Sequence, residues 1–454
     1  MDRLEFYDGN HIFRELTEQF VENTRIRKTD FDRYPVKKGL RNSDGTGVMV
    51  GLTTICNVEG YYIDDGERVP KEGRLIFRGV NFEDFVEGCR AEDRFGYEEL
   101  VYLLLFGSLP TRSEYEQFCA LLSENRELPD DFVEDVIMRA PSPNIMNKMG
   151  SSLNALYAYD QNPDDISPEN VLRQCIQAIA QLPAIMSYAY QVKRRFFYKK
   201  SMYIHQIKPE QKTAEIILHS IRSNKKFTDA EAKLLDLCLM IHADHGGGNN
   251  STFTARCVSS TGTDTYSALS AAIGSLKGFR HGGANIKVVE MVEDLHRHVE
   301  DVTDEEAVRD YLRRTVRREV GDGSGLIYGM GHAIYTLSDP RAVLLKRYAR
   351  ALAEEKGYLE DWTLLDIIER NAPDIFREEK GIDKKICANV DLYSGLVYKT
   401  LAIPQDLFTP LFASARIAGW CAHRLEELAT SSKIMRPAYK NVAKRLPYVA
   451  LDQR

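Results

Sequence analysis

The sequence has no apolar run that approaches the ~18 consecutive residues a transmembrane helix requires, so it does not predict an integral membrane protein. It also has no C-x-x-C pair. Its eight cysteines are scattered, which predicts buried thiols in a reducing compartment rather than disulfides or zinc ligands. The net charge of -7 over 454 residues leaves no overall basic field and argues against nucleic acid as the main partner.

The N-terminal segment MDRLEFYDGNHIFREL lacks the apolar core of a signal peptide and the acid-poor composition of a transit peptide, so we expect a cytoplasmic protein. With 43% hydrophobic and 28% charged residues, the composition is that of a folded protein. Its length predicts two or three domains.

Helix signals dominate most of the chain. Thr111 with Glu114, and Thr228 with Glu231, have the spacing of capping boxes that begin helices. The exception is the stretch 48–80, in which β-branched and aromatic residues alternate between clusters of Gly and Asp. This pattern predicts a small sheet of two to four short strands.

Three of the ten histidines stand beside glycine clusters: His245 in HADHGGGNN, His281 in FRHGGAN and His332 in YGMGHAIY. Glycine removes side-chain bulk and lets a ligand approach the imidazole closely. Each histidine alone also fits a helix end with a glycine C-cap, but three together favour a functional site. A metal site built on His242, Asp244 and His245 is disfavoured, because a helix presents only two of these histidines together and no H-E-x-x-H pattern is present.

Three arginines are candidates for binding an anion. Arg416 lies in PLFASARIAGW, where nearly every neighbour is apolar or small, so its guanidinium needs either an internal carboxylate or a substrate carboxylate. Arg341 follows Asp339 and Pro340, which fit an N-cap and a first helical residue, and it therefore falls in a first turn that favours anions. Arg436 lies in a loop near the end of the chain.

Asp391 lies in ICANVDLYSGLVYK, at the start of an apolar helical run. One interpretation makes it the helix N-cap. The other makes it a general base, because partial desolvation in an apolar setting makes a carboxylate a better proton acceptor.

The segment from Gln191 to Phe227 is locally basic, with QVKRRFFYKK and SIRSNKKF. Its simplest interpretation is a solvated face. The alternative is a patch for a polyanionic ligand, and the sequence does not decide between the two.

Six segments in order resemble the signatures of citrate synthases. They lie between about Ala230 and Pro437 and read HADHGGGN, HGGAN, YGMGHAIYTLSDPRA, NVDLYSG, ASARIAGW and IMRP. Weaker similarity extends to KKGLRN, GRLIFRGV and YEELVYLLLFGSLP. No single motif is specific for this family, but six motifs in the same order and at the same separations are.

The resemblance implies a mainly α, two-domain fold with a small N-terminal β-sheet. The large domain would comprise residues 1–283 and 400–454 and the small domain residues 284–399, closing over a cleft. It also implies a homodimer, with a higher oligomer left open. The implied reaction belongs to the tricarboxylic acid cycle: acetyl coenzyme A condenses with oxaloacetate, and hydrolysis of the thioester gives citrate and coenzyme A. The co-substrate is coenzyme A, with no permanently bound cofactor or metal.

Residue roles follow from the same resemblance. Asp391 would remove the methyl proton, His281 would stabilise the enolate, and His332 would polarise the ketone and protonate the alkoxide. His245, Arg341 and Arg416 would hold oxaloacetate, with Arg436 reaching it across the dimer interface. Gly329 and Gly331 would contact coenzyme A. The roles are thus assigned to these residues: His281, His332, Asp391, His245, Arg341, Arg416, Arg436, Gly329 and Gly331.

Two alternatives remain at this point. A 2-methylcitrate synthase would use propionyl coenzyme A, and one methylene is worth only ~1–3 kcal/mol of discrimination. A non-catalytic binder of coenzyme A or dicarboxylates would not require Asp391, His281 and His332, all of which are present.

Overall fold

The computed structural model describes residues 9–381, 385–430 and 433–454. Over these residues the chain forms seventeen α-helices and one small antiparallel sheet near the N-terminus. The predicted mainly α fold with a small N-terminal sheet is confirmed.

The helices range from 6 residues in α2 to 29 in α7. Those before residue 260 are α1 Gly9–Asn23, α2 Lys28–Arg33, α3 Phe82–Ala91, α4 Tyr97–Phe106, α5 Arg112–Glu124, α6 Ile145–Ala155, α7 Pro168–Phe196, α8 Thr213–Ile221, α9 Asp229–His242 and α10 Asn250–Ser259. The later ones are α11 Thr265–Lys277, α12 Ala284–His298, α13 Glu305–Val316, α14 Pro340–Glu355, α15 Leu359–Lys380, α16 Val390–Thr400 and α17 Phe408–Thr430.

Both predicted capping boxes begin helices. The Thr111 hydroxyl accepts from the Glu114 amide while the Glu114 carboxylate accepts from the Thr111 amide, at the start of α5. Thr228 and Glu231 make the same exchange at the start of α9. Each box satisfies two amides that a helix leaves without intrahelical partners.

The sheet has three antiparallel strands in the order β1-β2-β3, which are Cys56–Asp64, Glu67–Phe77 and Val80–Asn81. Asp64 pairs with Glu67 across a two-residue turn of Asp65 and Gly66, both with positive φ. Such turns match the twist of a hairpin. The prediction of two to four strands is confirmed.

The chain divides into two compact units. The smaller comprises Met1–Leu52 and Arg436–Arg454 and contains α1 and α2. The larger, Thr53–Met435, contains all the other helices, the sheet and the hydrophobic core.

Helix α17 is the central element of the larger unit, because it packs against α4, α7, α9, α10 and α11. Its Gly419 meets the chain just after α9: a Cβ there would lie 2.4 Å from Asp244 Oδ1 and 2.6 Å from the Ala243 carbonyl oxygen. The Gly419 amide donates to that carbonyl at 3.1 Å. The missing side chain therefore lets α17 lie directly against the segment 242–245.

Helices α12 to α16 pack on one another in the pairs α14 with α16, α13 with α15 and α12 with α16. The division into domains at 283–284 and 399–400 stays a prediction. In the part of the chain described, none of the helices combines the length and the apolar character needed to cross a membrane.

Candidate active site

Arg416 is completely buried in the middle of α17. Its Nε donates to the His242 carbonyl oxygen at 2.5 Å, and its guanidinium carbon lies 4.7 Å from the centre of the Phe412 ring. Its two terminal nitrogens have no hydrogen-bond partner among the described residues. Burial lowers the pKa of Arg416 to about 10, so the group is still a cation, and it is one that needs an anion.

Arg341 is also buried, but it has a partner. Its Nε and a terminal nitrogen donate to the two oxygens of Asp339 at 3.0 and 2.7 Å. Asp339 is the N-cap of α14 and Pro340 its first residue, as predicted. The ion pair uses only one side of the guanidinium fork, and the cation lies over the Tyr335 ring at 5.7 Å.

His245, His332 and Tyr335 form a cluster of three rings. The ring centres of His245 and His332 are 5.2 Å apart and nearly perpendicular, and those of His332 and Tyr335 are 4.6 Å apart and stacked. Burial, Arg341, His332 and Arg416 hold the pKa of His245 well below its usual range, so that imidazole is neutral.

The proton of His332 is placed by the backbone. Nδ1 accepts from the amides of Ile334 and Tyr335, each at 3.1 Å. Since an amide only donates, Nδ1 is unprotonated and the ring is a neutral imidazole with its hydrogen on Nε2.

His281 is held in the opposite tautomer. Its Nε2 accepts from the Ser251 amide at 3.3 Å and lies 3.1 Å from the Ser251 hydroxyl, whose oxygen accepts from the Trp420 indole. Burial, and after it the nearby Arg416, lower the pKa of His281 to about 4. The ring is therefore neutral, with its hydrogen on Nδ1.

Asp391 is in the first turn of α16 and is half-buried. The N-cap is Asn389, whose side chain accepts from the Asp391 amide at 3.0 Å, so the interpretation of Asp391 as the cap is wrong. Burial raises the pKa of Asp391 to about 6, with Asp339 adding to the rise and Arg341 opposing it. Such a carboxylate is charged at neutral pH and is a stronger base than an exposed aspartate.

Asn389 also joins α16 to the loop that carries His332. Its amide donates to the Gly329 carbonyl at 2.8 Å, and its side chain donates to the Gly331 carbonyl at 2.9 Å. Both glycines have positive φ, and a Cβ at Gly329 would lie 2.8 Å from Leu392. The Gly331 amide donates to the Cys387 carbonyl and is therefore occupied within the protein.

The structure thus brings the predicted histidines 245, 281 and 332, arginines 341 and 416 and Asp391 into one electrostatically linked group. Arg341 affects the pKa of both His245 and Asp391, and Arg416 affects that of His245 and His281. Arg436 is exposed and belongs to the smaller unit, so its role stays a prediction.

Several supporting residues were missed by the sequence analysis. Tyr335, Ser251 and Trp420 lie in or directly beside the quoted motifs YGMGHAIY, HADHGGGNN and ASARIAGW, but they were given no role. Asp339 was identified only as a cap, although it is the ion partner of Arg341. His423 was also missed: its Nε2 lies 3.2 Å from Asp244, which lies next to the predicted His245.

The metal interpretation of His242, Asp244 and His245 has no geometric support. Burial would raise the pKa of Asp244, but His423 and Arg416 hold it at about 2, so its charge is already balanced within the protein. In the described ranges no three His, Cys, Asp or Glu side chains converge as a metal site requires.

Comparison with known proteins identifies the family. The model of the citrate synthase C-terminal domain matches residues 43–438. The citrate synthase of Haloferax volcanii is 31% identical over 92% of this chain and 99% of its own, and that of Synechocystis is 32% identical over 93% and 95%. The crystal structure of citrate synthase from Pyrobaculum aerophilum superposes with a TM-score of 0.73 at 28% identity, covering 90% of this chain and 94% of its own.

These relatives are all named citrate synthases, which does not favour the 2-methylcitrate alternative. The match spans the segments that carry the buried arginines, the three histidines and Asp391. The chain belongs to the citrate synthase family.

Proposed function

We propose that the protein condenses acetyl coenzyme A with oxaloacetate and hydrolyses the resulting thioester to citrate and coenzyme A. The observation that carries the proposal is Arg416, a fully buried cation with two unpartnered nitrogens, set among neutral histidines and beside a second buried arginine. A dicarboxylate supplies the missing acceptors. His245, Arg341 and Arg416 therefore bind oxaloacetate in this proposal.

Asp391 is the proposed general base. A thioester methyl is a very weak carbon acid, so a carboxylate removes its proton only when charge developing on the carbonyl oxygen meets a preorganised donor. The raised pKa of about 6 makes Asp391 a better proton acceptor while leaving it ionised at neutral pH. The proton moves from the methyl carbon to the Asp391 carboxylate.

His281 and His332 are the proposed donors to the two reacting oxygens. Nδ1 of His281 donates to the thioester oxygen as it becomes an enolate. Nε2 of His332 donates to the ketone of oxaloacetate and gives its proton to the new alkoxide. Nδ1 of His281 carries hydrogen because Nε2 of that ring accepts from a backbone amide. Nε2 of His332 carries hydrogen because Nδ1 of that ring accepts from two backbone amides.

Coenzyme A is the proposed co-substrate, with no resident metal or cofactor. The loop 321–331 has glycines with positive φ at positions 321, 323, 325, 329 and 331. A cavity of about 290 Å³ adjoins it, lined by Lys287, Asp322 and Tyr328 among others. The Tyr328 ring suits a nucleotide ring, and Gly329 and Gly331 shape the end of the loop nearest the reacting groups.

A homodimer is the proposed active unit, with Arg436 reaching the substrate of the partner subunit, and the cytoplasm is the proposed location. The C-terminal segment exposes large apolar side chains, among them Tyr439, Leu446, Tyr448 and Leu451. Such exposure is typical of a surface that a partner covers. The proposed domains, 1–283 with 400–454 and 284–399, would close over the substrates and exclude water.

The reaction is tested by release of free thiol from acetyl or propionyl coenzyme A in the presence of oxaloacetate. Release that needs both substrates and is faster with acetyl coenzyme A supports the proposal. Faster release with propionyl coenzyme A would move the assignment to 2-methylcitrate synthesis. Oxaloacetate binding without thiol release would indicate a non-catalytic binder.

The role of Asp391 is tested by Asp391→Asn, which we expect to lower kcat by about 10³-fold, within the range for loss of a general base. Asp310→Asn, at an exposed position on α13, is the matched control and should leave kcat unchanged. Turnover of Asp391→Asn within a few-fold of the unaltered protein would refute the assignment.

A further inference from the structure

Asp244 and Arg416 carry opposite charges and lie near each other, yet they do not form an ion pair. Both side chains are completely buried. Burial lowers the pKa of Arg416, and the attraction of Asp244 opposes that fall. A Cβ on Gly419 would lie 2.4 Å from Asp244 Oδ1. Gly419 follows Arg416 by three residues on α17, and residues at that spacing are neighbours on a helix, so the carboxylate faces the part of α17 that carries the guanidinium.

Each of the two groups keeps atoms that could complete a direct pair. In the part of the chain that the structure describes, neither Oδ1 of Asp244 nor the terminal nitrogens of Arg416 have a hydrogen-bond partner. Polar atoms buried in this way cost free energy, which a direct ion pair would recover. Some other contact therefore holds the carboxylate away from the guanidinium.

The contacts of the other oxygen of Asp244 explain the separation. Oδ2 accepts from the Gly246 amide at 3.0 Å and lies 3.2 Å from Nε2 of His423. Nδ1 of His423 lies 2.8 Å from a terminal nitrogen of Arg256. Since a guanidinium only donates, Nδ1 is unprotonated and the hydrogen of the ring is on Nε2. His423 is therefore a neutral donor that fixes Oδ2 and leaves Asp244 its negative charge.

The imidazole of His423 is itself held firmly. It is completely buried on α17, and its partner Arg256 belongs to α10. Arg256 forms ion pairs with Glu426 at 2.8 Å and Glu427 at 3.1 Å. Glu426 in turn accepts from the Thr54 amide at 2.7 Å, just before the first strand. Because the charge of Arg256 is met by two glutamates, this guanidinium orients the imidazole without neutralising the aspartate beyond it.

We propose that His423 is a positioning residue for the substrate: by holding Oδ2 of Asp244 it prevents an internal ion pair with Arg416. The terminal nitrogens of Arg416 are thereby kept for a carboxylate of oxaloacetate, and the identity of that anion rests on the proposed function. Without the hydrogen bond from His423, the Asp244 carboxylate can turn toward Arg416. As part of the same chain, it then competes with the substrate at a high effective concentration.

The test is the affinity for oxaloacetate, measured by calorimetric titration of the full-length protein in two variants that each keep one contact of the imidazole. His423→Asn keeps an acceptor near the position of Nδ1 but has no donor at that of Nε2. His423→Gln places an amide nitrogen near the position of Nε2 and can still donate to Asp244. We expect the affinity to fall by at least 10-fold in His423→Asn, since charged hydrogen bonds to the substrate are lost, and by less than about three-fold in His423→Gln.

Equal losses in the two variants would overturn the proposal, because altered packing would then account for both. The melting temperature of each variant checks its folding. A folded His423→Gln that has itself lost 10-fold in affinity would overturn the proposal without reference to His423→Asn.

His423→Asn/Asp244→Asn separates competition from simple disorder of the site. Removing the charge of Asp244 removes the internal competitor, so the double variant should bind oxaloacetate at least three-fold more tightly than His423→Asn. Affinity no better than that of His423→Asn would overturn the proposal.

His296→Asn is the matched control. His296 on α12 also meets an aspartate, with its Nε2 2.6 Å from Asp361. We expect its oxaloacetate affinity to change less than about two-fold. A loss equal to that of His423→Asn would reduce the effect to general destabilisation and overturn the proposal.

Kinetics distinguish this inference from the proposed reaction. In the thiol-release assay His423→Asn should raise KM for oxaloacetate by at least 10-fold and leave kcat within about three-fold, because the proposed acid and base are unchanged. Absence of thiol release by the unaltered protein would refute the reaction, whereas the binding comparison would still test His423. Equal oxaloacetate affinity of the unaltered protein and His423→Asn would overturn the role of His423 alone.

Discussion

Arg341 and Arg416 are both buried in the candidate site and each lies over an aromatic ring, yet they are held in different ways. Arg341 has a bidentate ion pair with Asp339, two residues away. Arg416 has a single hydrogen bond to a backbone carbonyl and no carboxylate partner among the described residues. The charge of Arg341 is met by a direct ion pair, whereas Arg416 has only the longer-range attraction of Asp244, and its two terminal nitrogens are left for a ligand.

This difference means that substitutions of Arg341 should affect both stability and substrate binding, whereas substitutions of Arg416 should affect substrate binding alone. A buried ion pair is strongly destabilised when one partner is removed, because the other charge is left unpaired. A buried charge without a direct partner weakens the fold, so a substitution that removes it should not destabilise the protein. The two arginines should therefore respond oppositely to the same substitution.

Arg341→Met should have the largest effect, because it removes a substrate contact and leaves Asp339 buried without its cation. We expect a loss of about 3–5 kcal/mol in the free energy of unfolding, measured with chemical denaturant, together with loss of activity. Asp339→Asn/Arg341→Met should recover part of the stability. Unchanged stability of the single variant would contradict the compensation by Asp339.

Arg416→Met should lower kcat/KM for oxaloacetate by about 10²- to 10⁴-fold, since two charged hydrogen bonds are worth about 1.5–3 kcal/mol each. Its melting temperature without ligand should be equal or higher, because a buried cation is replaced by an apolar side chain of similar length. Oxaloacetate should raise the melting temperature of the unaltered protein more than that of the variant. A stability loss as large as that of Arg341→Met would make Arg416 structural.

The pH dependence of kcat separates the two arginines further. Ionised Asp391 is the active form, so kcat should fall as the pH drops through about 6. Arg341 lowers the pKa of Asp391, so in Arg341→Met the residual kcat should begin to fall at a higher pH. Arg341→Lys keeps the charge and should leave the pKa of this acid limb unchanged. Arg416→Met should leave the pKa of this acid limb unchanged, and a shift equal to that of Arg341→Met would contradict this assignment.

Phe412→Leu should have the smallest effect. It removes the ring beneath Arg416, and a cation–π contact is worth about 0.5–2 kcal/mol. We expect KM for oxaloacetate to rise by about 2–10-fold. Phe408→Leu is the control, because Phe408 lies on the same helix and packs against Tyr398 instead. An equal rise in both variants would assign the effect to altered helix packing.

Local patterns in the sequence predicted helix starts and the small sheet well, because capping and alternation depend on neighbouring residues. The capping boxes at Thr111 and Thr228 and the cap at Asp339 illustrate this. Asp391 was harder to interpret, because Asn389, two residues earlier, competes for the same cap and takes it.

Side chains from distant parts of the chain could not be predicted in this way. Ser251 and Trp420, which support His281, are 169 residues apart, and His423 meets Asp244 across 179 residues. No periodicity encodes such contacts. The candidate residues themselves were found from their neighbouring residues and received their roles from motif resemblance, whereas the partners that set their charge states required the folded structure.

The hydrogen bonds of Asn389 have a consequence for the geometry of the proposed acid and base. They fasten the loop of His332 and the first turn of α16 with Asp391 into a single frame, through the carbonyls of Gly329 and Gly331. Because Asn389 bonds to both segments, the placement of His332 and Asp391 relative to each other is set by the fold. The proposed acid and base are therefore positioned for their separate substrates by one shared side chain.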